Sequence, residues 1–416
     1  MVTVFGLGFV GLTTALGFAH FGYKVYGFDV DEERAKTISA GKLPFLEPEM
    51  DDILKTQLKK NFVVTDDLKT ALADSEIIYY CVGTPYGVNG SANLKYLFSA
   101  IDMTFDAIDD EKFRVMVIKS TIPPSTTAEK ILPYVAEKVL LTGGKKKFAV
   151  ANNPEFLREG HCWEDFLRAD RIVIGSDDNR AREKLVQLYK PMNIPIKCVT
   201  SSTGEFIKYL SNTLLATLIS YSNEMEQVAN TIGNIEISEA FKILHMDRRW
   251  NNCNMTSYVY PGCGYGGYCL PKDTNAFLAQ SKEKGFEPQI LKNVIATNDN
   301  RPTIIARRIV KNLDLSAVIG VLGLSFKPLS DDVRDTPAAR IIREIINEGY
   351  KNIVAYDPVA NVEFTKHYPD LPIKTLASVE EVYDAADIIV IVTAWKEFKK
   401  VPNLGSKKII DCRYML

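Results

Sequence analysis

The sequence is poor in the residues that build metal centres. Its four histidines (His20, His161, His245, His367) stand alone, and its seven scattered cysteines form no zinc-finger-like pairs with each other or with histidine. No metal is expected from that pattern. No apolar run approaches the ~18 residues that a membrane-spanning helix needs, so no membrane partner is expected. A β-like run, Val2–Phe5, stands where a signal peptide would need a charged region and then an apolar one. Free thiols and a cytoplasmic location are the corresponding expectation. Charge of one sign is also missing: 50 Lys and Arg face 52 Asp and Glu, a net charge of -2. That balance argues against nucleic acid as a main partner, while local Lys and Arg can still hold a small anion. Low-complexity tracts are absent.

What is present is a chain of 416 residues, long enough for two or three domains at roughly 150 residues each. Short β-rich runs alternate with amphipathic segments over the first 200 residues. Strands are predicted at 2–5, 24–28, 62–65, 76–82, 114–119, 147–151, 171–175 and 195–199. Helices are predicted at 9–21, 31–40, 66–73, 94–108, 125–139 and 179–190. This alternation predicts a parallel sheet covered on both faces. From Ser202 to Thr231 apolar residues recur at helical spacing (Phe206, Leu210, Leu214, Leu218, Tyr221, Met225, Val228) without a proline. That predicts one long helix, capped by the Ser201–Thr203 cluster, of a kind that links domains or packs on a copy of itself. A polar, glycine-rich loop follows at 247–268, then more helix. Strands return at 317–322, 352–356, 387–393 and 408–411. The reading is α/β, with two Rossmann-like parallel-sheet domains (1–200 and 301–416) joined by a central helical domain (201–300).

The motif GLGFVG at 6–11 sits between a predicted strand and helix, and a second strand ends at Asp29. Gly6 permits the tight turn, Gly8 a close approach of backbone to pyrophosphate, and Gly11 close packing of helix on strand. The helix N-terminus attracts phosphate. Asp29 stands where a carboxylate accepts from the 2′-hydroxyl of NAD and repels the 2′-phosphate of NADP. Arg34, nearby, is suited to adenine or to that phosphate. Two further strand ends, CVGTP at 81–85 and KSTIPPST at 119–126, carry Thr84 and Thr121 toward the same crevice; taken alone they are ordinary turns.

The densest signal is GYGGYCLPKDT at 264–274. Its glycines let backbone wrap a ligand. An ammonium near Cys269 favours the thiolate, which is the nucleophile. Read alone, Cys269 could be an inert thiol and Asp273 a helix cap. Glu205, Lys208 and Asn212 recur at helical spacing on the long helix, and NPEFLREG at 153–160 follows a strand. Each of these, alone, reads as a solvated polar stretch.

Seven segments in this order, GLGFVG, CVGTP, KSTIPPST, NPEFLREG, EFIKYLSN, GYGGYCLPKDT and GLSFKPLSDDVRDTP, resemble the nucleotide-sugar 6-dehydrogenases, a family that includes UDP-glucose and GDP-mannose dehydrogenases. The resemblance covers nearly the whole chain. It implies NAD as cofactor, a nucleotide sugar as substrate and a homodimer formed through the central helix. It implies Cys269 as nucleophile, Lys208 and Asn212 beside the reacting carbon, Asp273 with Thr121 in proton transfer, and Glu155 as base for the final hydrolysis. The cofactor would meet Gly6, Gly8, Val10, Gly11, Asp29, Arg34, Thr84, Thr121, Glu155, Lys272 and Arg334. The sugar nucleotide would meet Glu155, Phe156, Leu157, Lys208, Asn212, Tyr258, Tyr260, Gly262, Gly266 and Lys327.

The expected reaction takes CH2OH to COOH in two hydride transfers, and UDP-glucose to UDP-glucuronate is the leading form. Attack of a thiolate on the intermediate aldehyde restores a hydroxyl-bearing carbon from which a second hydride can leave. The chain departs from the UDP-glucose pattern at Cys253, where an Arg is usual, and resembles the GDP-mannose branch over 256–262, with Tyr260 in place of a basic residue. GDP-mannose or another UDP-hexose therefore stays open as substrate. A single-step 3-hydroxyacid or 6-phosphogluconate type dehydrogenase is the more distant alternative, disfavoured by Cys269 and by the second α/β domain.

Overall fold

The computed structural model describes residues 1–87, 90–247 and 261–416. It forms two compact units, Met1–Ser211 and Asn212–Leu416, that part within one long helix. In the first unit eight strands lie in the order β3-β2-β1-β4-β5-β6-β7-β8. They are β1 (Val2–Phe5), β2 (Val25–Phe28), β3 (Phe62–Val64), β4 (Ile77–Tyr80), β5 (Phe113–Ile118), β6 (Lys147–Asn152), β7 (Ile172–Gly175) and β8 (Ile196–Val199). Val2 of β1 is flanked by Val25 and by Ile77, both in parallel register. Helices cover both faces, which is why β1 and β4 are buried along their whole length rather than alternating. Within β4, Tyr79 packs into one layer with Phe18 and Val117, while Ile78 and Tyr80 pack into the other with Leu97, Ile101 and Met116.

The sheet departs from the expected all-parallel form at one seam. β6 and β7 meet antiparallel through the single pair Asn152 and Gly175. The Asn152 side chain fills the space over Gly175, where an added Cβ would lie 2.2 Å from its Oδ1. A helix at Met50–Leu58 was not predicted, and the helix expected at 125–139 opens with a π-helical turn, Thr127–Ile131.

In the second unit all five strands are parallel, in the order β11-β10-β9-β12-β13. They are β9 (Ile319–Leu322), β10 (Ile353–Tyr356), the short β11 (Lys374–Thr375), β12 (Ile388–Ile391) and β13 (Lys408–Asp411). Helices Ile237–His245, Cys269–Glu283 and Gln289–Val310 precede the sheet. Among the described residues no helix is long and apolar enough to cross a membrane.

The long helix runs Ser201–Ile232, and Thr200, not the Ser201–Thr203 cluster, caps it, its hydroxyl accepting from the Thr203 N–H at 3.3 Å. Its faces are inverted relative to an ordinary surface helix. Phe206, Leu210, Leu214 and Tyr221 are 41, 51, 48 and 50% exposed, whereas Glu205, Lys208, Asn212, Ser220, Asn223 and Glu226 are buried. A buried carboxylate needs partners. Glu226 accepts from Arg301 Nη1 at 2.9 Å, from Arg308 Nη1 at 2.7 Å and from the Tyr414 hydroxyl at 2.7 Å. One acid thus joins the long helix, the helix Gln289–Val310 and the C-terminal segment. Replacing Glu226 by Ala leaves Arg301 buried and unpaired and should lower stability by about 3 kcal/mol, read from the urea midpoint. The pair Glu226→Leu with Arg301→Met should cost much less. A loss under about 1 kcal/mol in the single variant would sink this assignment.

Candidate active site

The glycine-rich turn leaves β1 at Phe5 and enters the helix Phe9–His20. Gly6 has φ +85°, and a Cβ there would lie 2.8 Å from the carbonyl of Cys81; a Cβ on Gly11 would lie 1.7 Å from the Gly6 carbonyl. Both positions therefore require glycine. At Gly8 the reverse holds, since an added Cβ would meet nothing within 4 Å. The turn thus presents open space at a helix N-terminus, as a pyrophosphate requires. Val10, in the first turn, is half-buried.

Asp29, at the end of β2, accepts from the Leu7 N–H at 2.7 Å and from the Asp31 N–H at 2.9 Å. Arg34 lies 3.1 Å from Asp29 and 3.3 Å from Asp31, so its charge is already balanced by two acids. Thr84 donates to the Thr121 carbonyl at 2.8 Å. That bond joins two strand ends 37 residues apart, which plain turn chemistry would not do.

The second group gathers around Glu155. The start of the long helix is clamped to β6: the Asn152 amide donates to the Ser201 carbonyl at 2.8 Å, and Gly204 has no side chain because Asn152 Oδ1 lies 2.2 Å from where its Cβ would be. Two turns in, Lys208 Nζ meets Glu155 Oε1 at 2.8 Å, both side chains buried. Glu155 also accepts from the Leu157 N–H at 2.6 Å. Burial alone would raise the Glu155 carboxyl, but the charge and hydrogen bond of Lys208, the Leu157 N–H and the charge of Lys119 outweigh it and hold it below the usual range. Burial pushes the Lys119 ammonium down to about 8, and its Nζ donates to Asn153 Oδ1 at 2.8 Å. The ring of Phe156 lies under Lys208 at 5.7 Å and under Arg171 at 4.5 Å.

The third group lies in the second unit. Cys269 is the first residue of the helix Cys269–Glu283 and is exposed. Asp273 is therefore not a cap but the fifth residue of that helix. Pro271 is tolerated in the first turn, where backbone N–H groups lack intrahelical partners, and this lets the helix begin upstream. Unpaired N–H groups at a helix start favour a thiolate. Asp273, one turn on from Cys269, is gripped by Lys272 and by the Asn212 amide, the latter at 2.6 Å. The Tyr268 ring lies between Lys272 at 5.7 Å and Arg334 at 4.6 Å, and Arg334 pairs with Asp332 at 2.6 Å. Lys327 follows β9 and extends over Phe326. Gly266 packs on the Asp335 carbonyl, 2.3 Å from where a Cβ would be.

Sequence reasoning missed the struts beneath these residues. The Gly262 N–H donates to Asn223 at 2.6 Å and the Gly262 carbonyl accepts from Arg301 at 2.7 Å. Asn298 accepts from the Tyr265 N–H at 2.8 Å and donates to the Tyr265 carbonyl at 3.1 Å. Glu47 accepts from Gly160 at 2.9 Å and Cys162 at 2.6 Å, bracing the loop after Glu155. Nothing in their sequence context separates these residues from solvated ones. Tyr258 and Tyr260, with Cys253, lie outside the described residues.

Three models of the UDP-glucose/GDP-mannose dehydrogenase family match in order: its NAD binding domain at residues 1–193, its central domain at 202–300 and its UDP binding domain at 320–416. The chain is 33% identical to a UDP-glucose 6-dehydrogenase of Pseudomonas aeruginosa, covering 95% of this chain and 88% of that one. It is 35% identical to one of Rhizobium meliloti, covering 96% and 90%. The solved UDP-glucose dehydrogenase of Pyrobaculum islandicum superposes with a TM-score of 0.91 at 32% identity, over 100% of this chain and 94% of that one. The UDP-D-ManNAc dehydrogenase of Pyrococcus horikoshii does so at 0.85 and 30%, over 100% and 96%.

Replacing Asp29 by Asn should free Arg34 for a 2′-phosphate and narrow the preference for NAD over NADP by about tenfold. The ratio of the two dissociation constants, from quenching of intrinsic fluorescence, tests this. An unchanged ratio would mean that Asp29 does not read the ribose.

Proposed function

This chain belongs to the UDP-glucose/GDP-mannose dehydrogenase family, and from that premise we propose that it oxidises the C6 hydroxymethyl of UDP-glucose to a carboxylate, yielding UDP-glucuronate through a thiohemiacetal and a thioester on Cys269. The observation that carries the reading is the bond from Asn212 to Asp273. It fixes an acid one helical turn from an exposed thiol at a helix N-terminus, where a nucleophile and a proton-handling group belong together.

One NAD, when bound, would supply the hydride acceptor for each of the two oxidations, so two NAD are consumed per sugar. Lys208, an ammonium near the reacting oxygen, stabilises the alkoxide of the first step, and the same charge steadies the oxyanion when Cys269 Sγ adds to the aldehyde carbon. The adduct is a thiohemiacetal, whose hydroxyl proton departs toward Asp273 as the second hydride leaves. The product is a thioester of Cys269. Water, oriented by Asp273 with Thr121, attacks it; Glu155, kept ionised, takes the water's proton, and the thiolate leaves. On the family resemblance, Thr84 and Thr121 of the first unit and Lys272 and Arg334 of the second would each meet the cofactor, and Phe156 and Leu157 of the first and Gly262, Gly266 and Lys327 of the second would each meet the sugar nucleotide. UDP-glucose is favoured because relatives over nearly the full length carry that activity in their names. A second reading, oxidation of another UDP-sugar, is favoured by the likeness to the UDP-D-ManNAc dehydrogenase.

The wild-type protein should yield two NADH per UDP-glucose consumed, and Cys269→Ser should lose at least about 10³-fold in acid formation while still binding both ligands. One NADH per sugar, or unimpaired turnover of Cys269→Ser, would overturn the covalent mechanism. Two NADH from a different member of a nucleotide-sugar panel would move the substrate and keep the chemistry.

A second copy of this chain covers the exposed stripe Phe206, Leu210, Leu214 and Tyr221, since an apolar row on one face of a long helix is a self-complementary surface. Leu210→Glu should convert a dimer to a monomer by sedimentation velocity. A monomeric wild type, or a variant that remains dimeric, would refute the helix as the interface.

A further inference from the structure

Glu205 is buried near the start of the long helix, one turn before Lys208. Its Oε1 accepts from the Thr127 N–H at 2.8 Å. Its Oε2 and the Thr127 hydroxyl, both buried, are left to each other, with no other partner among the described residues. The backbone it holds is unusual. Ser125 adopts φ +69°, and the chain then enters the π-helical turn Thr127–Ile131. The Ser125 hydroxyl also donates to Ser202 at 3.1 Å, a second tie to the same helix. The segment so anchored begins at the end of β5 and carries Lys119 and Thr121, on the cofactor side of the first unit.

We propose that Glu205 is a positioning residue for the loop 119–127, its carboxylate fastening that loop to the long helix so that its protonation state sets how firmly Thr121 is presented to NAD. The role assigned to Thr121 rests on the proposed function; the fastening itself does not. Ionised, Glu205 accepts from the loop's backbone; protonated, it gives up part of that grip. The charged groups around it are engaged elsewhere. On its own helix Lys208 pairs with Glu155. Asp177, after β7, accepts from the Ser201 hydroxyl at 2.8 Å. Lys119, at the head of the loop, donates to Asn153. Glu129 and Lys130 lie in the π-helical turn, where Glu129 is exposed. Burial therefore dominates and pushes the Glu205 carboxyl up to about 7, against the pull of Thr127, Ser125 and Thr126.

The sign follows from linkage. The folded protein holds a proton that the unfolded chain releases in the ordinary carboxyl range. Stability is therefore greatest below that range, falls as pH rises through it, and levels off once pH has passed about 7. Glu205→Gln cannot ionise and escapes that loss, so its melting temperature relative to wild type should rise between about pH 5 and pH 7 and level off above. NAD binding should respond in the opposite sense. The wild-type dissociation constant, from calorimetry, should tighten by about threefold more than that of Glu205→Gln over pH 6 to 8. Glu205→Ala, which leaves the Thr127 N–H unsatisfied, should bind NAD more weakly than Glu205→Gln at both pH values. Parallel melting curves for wild type and Glu205→Gln, or parallel pH profiles of NAD binding, would each overturn the proposal. If wild type does not bind NAD at all, the reading of the cofactor site fails and the melting series still decides the ionisation of Glu205.

Discussion

Polar groups buried on one face of the long helix must each be partnered, and that constraint decides where the surrounding loops sit. Unpaired, each would cost more than a typical surface interaction returns. Glu205 is answered by the loop before the π-helical turn, Lys208 by Glu155, Asn212 by Asp273, Asn223 by Gly262 and Glu226 by Arg301. Each partner belongs to a segment that carries or adjoins a candidate site residue. The helix's large apolar residues Phe206, Leu210, Leu214 and Tyr221 face outward, while Tyr209 and Ala216 stay buried.

The glycine-rich segment 262–268 shows how such partners substitute for secondary structure. Glycines give the backbone freedom to wrap a ligand, but the same freedom costs ordering entropy. Asn223, Asn298 and Arg301 recover part of it by fixing both the N–H and the carbonyl of Gly262 and of Tyr265. Because Arg301 also meets Glu226, the order extends to the C-terminal segment through Tyr414. Cys269 then begins a helix whose first turn follows a held loop.

The strands and the cofactor turn were legible because they rest on local signals. GLGFVG lies between an apolar run and an amphipathic one, and both required glycines are visible in the motif. The strand ends at Phe5, Phe28 and Tyr80 fall within two residues of the expected positions. The helix Met50–Leu58 was missed because acids crowd its first turn and its apolar face is narrow, with only Met50 and Leu54 as buried hydrophobics. The long helix was found, but its orientation was not. Apolar spacing identified the period, and nothing in the sequence says that Glu205 and Glu226 face inward. Asn298, Arg301 and Glu47 were invisible for the same reason: a polar residue on a helix or loop reads as solvated until its partner is in place. Asp273 was partly legible, recognised by motif, while its cap reading failed because Pro271 allowed the helix to begin earlier.

The pair Lys208 and Glu155 imposes a further condition on the proposed chemistry. Two buried charges in contact stabilise each other's ionised forms, and removing either leaves the other stranded. In the resting protein Lys208 keeps Glu155 below the usual carboxyl range, which suits a base but weakens its pull on a proton. In the proposed chemistry, an ammonium that turned to a developing oxyanion would share its attraction between two negative centres, and Glu155 would become a stronger base at the stage where the thioester is hydrolysed. Lys119, its ammonium pushed down to about 8 by burial, adds a second positive charge that helps hold Glu155 below the usual carboxyl range. On the proposed chemistry, one lysine would then stabilise the oxyanion while the other keeps Glu155 ionised and ready to act as base.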